Sequence, residues 1–272
     1  MHAMYPFSDL ALARRLETTE ALACARSVEA RARVDPSSGA CWIEVAGAHA
    51  MFDGAASPVT QTFGLGIAGP VTAHDFETIE HFFRAHGAPI FHEVSPLADP
   101  SVVARLNERG YQPFEFTSVL YRPLDGGGTA ATVDPSVQVR TIATEEAEQW
   151  ARVARDGWSE FAGLGDFMLQ MGRVGAATED ARLYLAEIDR RPIATASLRI
   201  HEGVAFLAGA STVPDGRRRG AQLALLDRRL RDGAAAGCDI AMMGALPGSG
   251  SQRNAERHGF RIAYTRVKWR LP

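Results

Sequence analysis

The stretch from Val213 to Gln222 reads Val-Pro-Asp-Gly-Arg-Arg-Arg-Gly-Ala-Gln. It follows a predicted strand, Val204 to Val213, and opens a predicted helix with a leucine stripe. The first N–H groups of a helix have no partner within the helix and lie at the positive end of its dipole. Gly220 allows a phosphate to approach the backbone, and the three arginines can donate charge-assisted hydrogen bonds. The stretch therefore predicts an anion site, with a solvated basic turn as the alternative.

Strands and helices alternate on both sides of this junction. The leucine stripe is formed by Leu223, Leu226 and Leu230, and Phe76, Ile79 and Phe83 repeat its spacing in the first half. The predicted strands are 41–51, 59–63, 89–94, 114–121, 137–142, 183–188, 192–200, 204–213, 238–243 and 261–270. The predicted helices are 9–33, 72–86, 99–109, 145–155, the one after Gly220, and 251–258. This pattern predicts an α/β fold with a mixed β-sheet flanked by helices.

The chain is predicted to consist of two related halves. A glycine-rich stretch between Leu124 and Thr132 has the composition of a linker. We therefore predict a first domain over 1–123, a linker over 124–136 and a second domain over 137–272. Pairing Gly110 with Gly259, a shift of 259 − 110 = 149 residues, superposes strand, short helix and strand without a gap. Such a register is what a duplicated unit leaves, although any two α/β halves can be slid into partial register.

The segment from Ala205 to Trp269 resembles the GNAT superfamily of N-acetyltransferases. In that family a strand leads into a loop of pattern R/Q-x-x-G-x-G/A and then a helix, and Arg217 to Gln222 matches all but the last small residue. The family's later helix ending in Gly-Phe is matched by Ser251 to Phe260, and its upstream hairpin by Leu183 to Ile200. The resemblance covers about the last 130 residues, and the duplication extends it to a tandem form with a degenerate first half.

The resemblance implies that the second half binds acetyl-coenzyme A. The pyrophosphate would lie on the backbone amides from Arg218 to Leu223, and the pantetheine arm would pair with the strand end at Thr212 and Val213. Ser251 and Asn254 would face the arm, or would be a helix cap and a surface residue. The implied cofactor-binding residues are Thr212, Val213, Arg217, Arg218, Arg219, Gly220, Ala221, Gln222, Leu223, Ser251 and Asn254.

The usual acid–base residues of that family are missing here. Ala255 stands where many members carry a tyrosine acid, and the strand from Phe206 to Thr212 contains no carboxylate. We therefore predict that rate comes mainly from positioning and backbone oxyanion stabilisation. The catalytic residues stay unassigned, and the candidates for protonating the thiolate are Tyr264, Ser251 and Ser211.

Three other sequence features are weaker indications of function. Gly64 to Gly69 spells G-x-G-x-x-G, but Pro70 follows it and the helix signal starts only at Thr72, so a nucleotide site is disfavoured. His81 and His86 diverge on a helix, and we predict no metal site. Trp150, Trp158 and Phe161 fall where the family often forms its acceptor pocket, although core packing explains them equally well.

Composition narrows the function class. With 29 basic and 32 acidic residues, the net charge of −3 argues against a nucleic-acid or membrane-surface partner. Three scattered cysteines and no signal-like N-terminus predict a cytoplasmic protein. The predicted function is acyl transfer, acetyl in the first instance, from coenzyme A to a primary amine of a small molecule or peptide. The alternatives are a non-catalytic acyl-CoA sensor, transfer to a hydroxyl, and a nucleotide-dependent enzyme. We expect a chain starting near Ser136 to bind the cofactor but lose much activity.

Overall fold

A computed structural model of the chain describes residues 4–124, 128–129, 131–160 and 165–272. Part of the predicted linker and Phe161 lie outside these residues. Contacts divide the chain into two compact units. The first unit comprises Tyr5–Tyr121 and Gly244–Pro272, and the second unit comprises Arg122–Met243 together with Met4. No helix in the described ranges is long and apolar enough to cross a membrane.

The first unit is a mixed sheet with helices. Its strands are β1 (Cys41–Val45), β2 (Ala48–Phe52), β3 (Gln61–Phe63), β4 (Phe91–Val94), β5 (Gln112–Pro123, which runs two residues past the unit boundary) and β11 (Arg261–Arg270). Its helices are α1 (Leu10–Val34), α2 (Ala73–Ala85), α3 (Pro100–Glu108) and α7 (Gly250–Arg257). The strand order is β1-β2-β3-β4-β11-β5, and only β3 and β4 are parallel among these pairs. Phe76, Ile79 and Phe83 of α2 are fully buried, as their spacing predicts.

The second unit has a five-stranded sheet in the order β10-β9-β8-β7-β6. Its strands are β6 (Gln138–Thr141), β7 (Arg182–Ile188), β8 (Arg191–His201), β9 (Val204–Thr212) and β10 (Ile240–Ala245, which crosses into the first unit at Gly244). Its helices are α4 (Ala147–Asp156), α5 (Gly165–Ala177) and α6 (Ala221–Ala235). The β9–β10 pair is parallel and the other pairs are antiparallel. The expected α/β class, a mixed sheet flanked by helices, is confirmed.

The last strand does not stay with the second half of the sequence. β11 pairs antiparallel with β4 on one side and β5 on the other, with Val267 opposite Val94 and Phe116. The compact units therefore differ from the contiguous domain predicted over 137–272, because Gly244–Pro272 completes the sheet of the first unit. A chain starting near Ser136 would lack both neighbours of β11, so the predicted cofactor binding by that fragment is not expected.

The two halves keep the predicted register. β4 begins at Phe91 and β10 at Ile240, a shift of 240 − 91 = 149. β5 begins at Gln112 and β11 at Arg261, a shift of 261 − 112 = 149. The agreement of these strand starts supports a duplication, in which each half contributes one strand after its short helix.

Two elements differ from the sequence-based expectation. The predicted single strand 41–51 is a hairpin, because Ala46 and Gly47 both adopt left-handed φ values of 50° and 76° and turn the chain. The helix α5 was not predicted. Its Gly172 lies against α4, where an added Cβ would come within 2.9 Å of the Ala151 Cα.

Candidate functional site

Strand β9 is open along its outer half. Its parallel pairing with β10 covers three residue pairs and ends at Phe206 opposite Met242. Past that point, the described pairing of β9 is with β8 alone. The β8–β9 register shifts between Thr195 and Ser197, which marks a bulge, and Gly209 there has a left-handed φ of 61°. Gly209 and Ala210 are exposed at this interruption of the ladder.

A buried arginine supports the bulge from within the unit. Arg229 of α6 is 4% exposed. Its Nη1 donates to the Ser197 carbonyl at 3.2 Å and to the Ala208 carbonyl at 3.3 Å, and its Nε donates to the Leu225 carbonyl at 3.2 Å. Burial lowers the pKa of Arg229 to about 10. The guanidinium thus satisfies carbonyls on both strands where the ladder is interrupted.

Replacing Arg229 by methionine is expected to destabilise the protein by about 2–4 kcal/mol. The change removes the donor of the buried Ser197 carbonyl and of the half-buried Ala208 carbonyl, and each unsatisfied buried group costs about 1–3 kcal/mol. The matched control is Arg228→Met, since Arg228 lies next to it on α6 but is 39% exposed in its pair with Asp232. Urea unfolding followed by circular dichroism measures both variants. Equal losses in the two would show that the bulge does not depend on Arg229.

The C-terminal end of α4 packs closely against the end of β9. The Ser211 hydroxyl is buried and donates to the Ala154 carbonyl at 2.9 Å. An added Cβ on Gly157 would lie 1.8 Å from the Ser211 Oγ and 2.9 Å from the Thr212 nitrogen. A glycine is therefore required at position 157 for this approach. The Ser211 hydroxyl proton is therefore engaged in a hydrogen bond that joins α4 to β9.

The start of α6 has no side-chain cap. Its N-cap residue is Gly220, which has a left-handed φ of 78° and no side chain that could bond to the first-turn N–H groups. Arg218 is also left-handed, with a φ of 61°. Alternation of left-handed residues just before a helix directs successive N–H groups to one side and forms an anion-binding concavity. The predicted loop thus has the backbone geometry that an oxyanion needs.

The arginines of this loop are exposed, and they are not equivalent. All four residues from Arg217 to Gly220 are exposed. Arg217 forms an ion pair with Glu160 and donates to the Gly157 carbonyl at 3.2 Å. That contact holds Arg217 beside the end of α4, while Arg218 and Arg219 lie directly before the open helix end.

Gln222 takes the place of the small residue in the family's loop pattern. Its amide Nε2 donates to the Thr212 Oγ1 at 2.7 Å and to the Ser211 carbonyl at 3.1 Å. The side chain thus fixes the first turn of α6 to the last residues of β9. The departure from the pattern therefore has a structural role that connects the strand to the helix.

The corresponding helix of the first unit has a different N-terminus. Helix α2 starts at Thr72 with a complete capping box, in which Asp75 accepts from the Thr72 N–H at 2.8 Å. The Thr72 hydroxyl lowers the pKa of Asp75, so a carboxylate stands at this helix end. The preceding Gly66 packs against α3, where an added Cβ would lie 2.3 Å from Val102. The G-x-G-x-x-G segment is therefore a packing loop, and an anion here would meet Asp75.

The remaining predicted site residues lie in the first unit. Ser251 is exposed on α7 and Asn254 is half-buried there. The cap of α7 is Ser249, which accepts from the Gln252 N–H at 3.2 Å, so the capping role considered for Ser251 was wrong. Tyr264 of β11 is buried and its hydroxyl donates to Glu17 at 2.7 Å. Burial raises the pKa of Tyr264, and its proton is held by a carboxylate within the core.

The tryptophans of the second unit differ in environment. Trp150 is 4% exposed and donates from Nε1 to the Tyr184 carbonyl at 3.0 Å, which makes it a core residue. Trp158 is 37% exposed just after α4. Of the two described residues, Trp150 is therefore explained by core packing, whereas Trp158 stays a prediction for the acceptor pocket.

Comparison of the sequence with models of known protein families gave no match, and neither did comparison with curated proteins. Solved structures do resemble the chain. A GCN5-related N-acetyltransferase from Kribbella flavida superposes with a TM-score of 0.64 at 20% identity, covering 93% of this chain and 95% of that one. A tandem GNAT protein from the clavulanic acid biosynthesis pathway gives a TM-score of 0.57 at 13% identity, covering 82% and 78%.

A third solved structure agrees with these two. The GCN5-related N-acetyltransferase from Sphaerobacter thermophilus gives a TM-score of 0.56 at 16% identity, covering 78% of this chain and 71% of that one. The chain therefore has the fold of GCN5-related N-acetyltransferases, and its likeness extends to a tandem form. The resemblance read from the sequence is confirmed at the level of the fold.

Proposed function

We propose that this protein is an N-acetyltransferase whose second unit binds acetyl-coenzyme A and transfers the acetyl group to an amine. The observation that carries the proposal is the open N-terminus of α6, preceded by Arg218 and Arg219 and by the exposed, bulged half of β9. This arrangement occurs in a chain with the fold of GCN5-related N-acetyltransferases. In the first unit, the N-terminus of α2 is capped by Thr72 and Asp75. This supports a single cofactor site per chain, in the second unit.

The cofactor would be held by backbone and side-chain donors of the same junction. Its pyrophosphate would accept from the N–H groups of Arg218 to Leu223, with the exposed guanidinium groups adding charge-assisted bonds. The pantetheine amides would pair with the free edge of β9 near Thr212 and Val213, as an added strand does. Arg217 would join the phosphate contacts by exchanging its pair with Glu160.

The chemistry would rest on position and on backbone donors. The neutral amine attacks the thioester carbonyl, a C–N bond forms, the C–S bond breaks, and coenzyme A leaves as the thiolate. An N–H at the bulge, where Gly209 and Ala210 are exposed, is suited to stabilise the developing oxyanion. Solvent would take the amine's proton and supply the thiolate's, because the Ser211 and Tyr264 hydroxyls already donate elsewhere. Ser251 is exposed but belongs to the first unit.

The engagement of the Ser211 and Tyr264 hydroxyls in other hydrogen bonds favours a second function. A protein with an intact cofactor site, in which the Ser211 and Tyr264 hydroxyls are engaged elsewhere, could bind acyl-CoA as a sensor without turnover. The two functions differ in release of free thiol from acetyl-CoA in the presence of amines. A panel of small primary amines and amine-bearing peptides, assayed by thiol detection, separates them. Binding of acetyl-CoA by calorimetry with no thiol release from any amine would favour the sensor.

For the enzyme, we expect kcat/KM to rise with pH and to follow the pKa of each amine. The reason is that only the neutral amine attacks, and no side chain is proposed to remove its proton. Amines of different basicity measured between pH 6 and 10 provide the check. A lower limb that stays at one pH for all amines would instead reveal a protein base.

The proposal also includes the cellular compartment and the class of acceptor. None of Cys24, Cys41 and Cys238 forms a disulfide, which fits a reducing compartment such as the cytoplasm. The acceptor is proposed to be a small molecule or peptide rather than a nucleic acid or a membrane lipid, since the chain has a net charge of −3.

A further inference from the structure

The end of the predicted linker is packed against helix α6 of the second unit. The Thr129 N–H donates to the Asp227 Oδ1 at 2.7 Å, and Asp227 is only 8% exposed. Further along the chain, the Val139 carbonyl accepts from the Arg228 Nη1 at 3.2 Å. The chain is therefore hydrogen-bonded to the same helix before and after residues 131–137.

This course brings Asp134 to the N-terminus of α6. An added Cβ on Gly220, the N-cap residue, would lie 3.5 Å from the Asp134 Cβ. The chain turns at Pro135, and the N–H of the buried Val137 donates to the Asp134 carbonyl at 3.1 Å. The Asp134 Oδ1 accepts from the Ser136 N–H at 2.9 Å and from the Ser136 hydroxyl at 2.7 Å. The turn thus fixes the Asp134 carboxyl group beside the start of α6.

The surroundings of this carboxyl group are positive. The N-terminus of a helix is the positive end of its dipole, and Arg219 stands directly before Gly220. The hydrogen bonds from Ser136 lower the pKa of Asp134, and the charge of Arg219 lowers it further. Asp134 is therefore ionised at neutral pH. Its negative charge lies beside the N–H groups where the cofactor pyrophosphate is proposed to bind.

This carboxylate differs from the one at the N-terminus of α2. There, Asp75 accepts from the N–H of the N-cap residue Thr72 and completes a capping box. Among the described residues, the hydrogen bonds of the Asp134 carboxylate are instead those with Ser136, inside its own turn. Asp134 therefore acts on α6 through its charge and does not take the place of a ligand in hydrogen bonds to the helix.

We propose that Asp134 is an affinity-determining residue of the cofactor site, whose fixed negative charge weakens the binding of phosphate groups at the N-terminus of α6. This inference rests on the proposed function, since the phosphates in question are those of the cofactor. The turn keeps the carboxylate in place, so a bound pyrophosphate shares the positive charge of Arg218, Arg219 and the helix end with it. Differences in affinity lie mostly in the dissociation rate, so Asp134 would hasten the release of coenzyme A.

The test uses the full-length chain, with acetyl-CoA and inorganic pyrophosphate titrated by calorimetry at neutral pH and low ionic strength. Asp134→Asn removes the charge and keeps the turn, because the amide oxygen can accept from the Ser136 N–H as the carboxylate does. We expect Asp134→Asn to bind both anions about threefold more tightly or better, since like charges this close repel even in water. The gain should shrink in about 1 M salt, which screens exposed charges.

Two variants serve as controls. Glu202→Gln removes the same charge from the exposed turn between β8 and β9, at the opposite end of β9 from Thr212. It should leave both affinities unchanged. Ser136→Ala removes a hydrogen bond from the turn of Asp134 but keeps the charge, so it should not tighten the binding of either anion.

The outcomes separate this inference from the proposed function. If acetyl-CoA binds the natural chain, but Asp134→Asn has no more effect than Glu202→Gln or Ser136→Ala, the role of Asp134 is overturned and the cofactor site stands. If acetyl-CoA binds none of the proteins, while Asp134→Asn binds pyrophosphate more tightly, the role of Asp134 is upheld and the proposed function fails. If neither anion binds any of the proteins below about 10 mM, both are overturned.

Discussion

Replacing Gly220 by valine should weaken acetyl-CoA binding at least 100-fold. The backbone at Gly220 has a φ of 78°, which a β-branched residue adopts only under strain. The side chain would also stand at the open N–H groups of α6, where the pyrophosphate is proposed to bind. Losing two charge-assisted hydrogen bonds at about 1.5–3 kcal/mol each corresponds to a factor of 100 or more. Calorimetry with acetyl-CoA measures the change.

Gly237→Val provides the matched control. Gly237 stands just past the other end of the same helix, with a φ of 83° and nothing within 4 Å of an added Cβ. Both variants therefore have a similar backbone strain, but only the first places a side chain at the N-terminus of α6, where an added Cβ lies 3.5 Å from the Asp134 Cβ. If the two variants bind acetyl-CoA equally well, the cofactor phosphates do not lie at Gly220.

Much of the fold could be predicted because its signals are local. The capping box at Thr72 and the apolar spacing of Phe76, Ile79 and Phe83 place α2 within a residue of its observed start. The hairpin at Ala46 was missed because alanine is not a typical residue for a left-handed turn position. Helix α5 was missed because Gly172 lowers helix propensity. The structure shows why a glycine stands there: Gly172 lies in close contact with Ala151 on α4.

The place of β11 could not be predicted from local signals. A strand pattern states that a segment is extended and which side chains alternate, but it does not name the neighbouring strands. Val267 is opposite Val94 and Phe116, which are 173 and 151 residues earlier in the chain (267 − 94 and 267 − 116). Contiguous domains were therefore the natural expectation, and only the strand pairing separates Gly244–Pro272 from the second unit.

In the candidate site, too, the features set by local sequence could be predicted and those set by long-range contacts could not. The backbone features of the cofactor loop follow from glycine and arginine at fixed offsets, and the sequence contains them. The support of the site does not follow in that way. Arg229 is an arginine on the apolar face of α6, three residues after Leu226, and this position was the available signal for its burial. The sequence around Gly157 carries no comparable signal. A glycine is needed there only because Ser211, which is distant in the sequence, packs against it.

Replacing Arg266 by methionine should destabilise the protein by about 3–5 kcal/mol. Burial alone would lower the pKa of Arg266, but Glu20, Glu17 and Glu93 raise it well above its usual value. Removing the cation leaves three carboxylates with one lysine nearby, and breaking a buried ion pair costs about that much. Arg270→Met on the same strand should cost less than about 1 kcal/mol, since Arg270 is exposed. Urea unfolding at pH 8 measures both.

The pH dependence of that loss distinguishes a charge effect from a packing effect. Glu17 has a folded pKa of about 7 against 4.5 for the free group, so the folded state holds its proton more tightly. Its favourable contribution is complete below pH 4.5 and is lost as the pH rises toward 7. Without Arg266 that pKa rises further, and the loss extends above pH 7. The stability deficit of Arg266→Met should therefore shrink from pH 8 to pH 5, and adding Glu17→Gln should recover part of it. A deficit that is constant with pH and unchanged by Glu17→Gln would mean that Arg266 stabilises the first unit through packing alone.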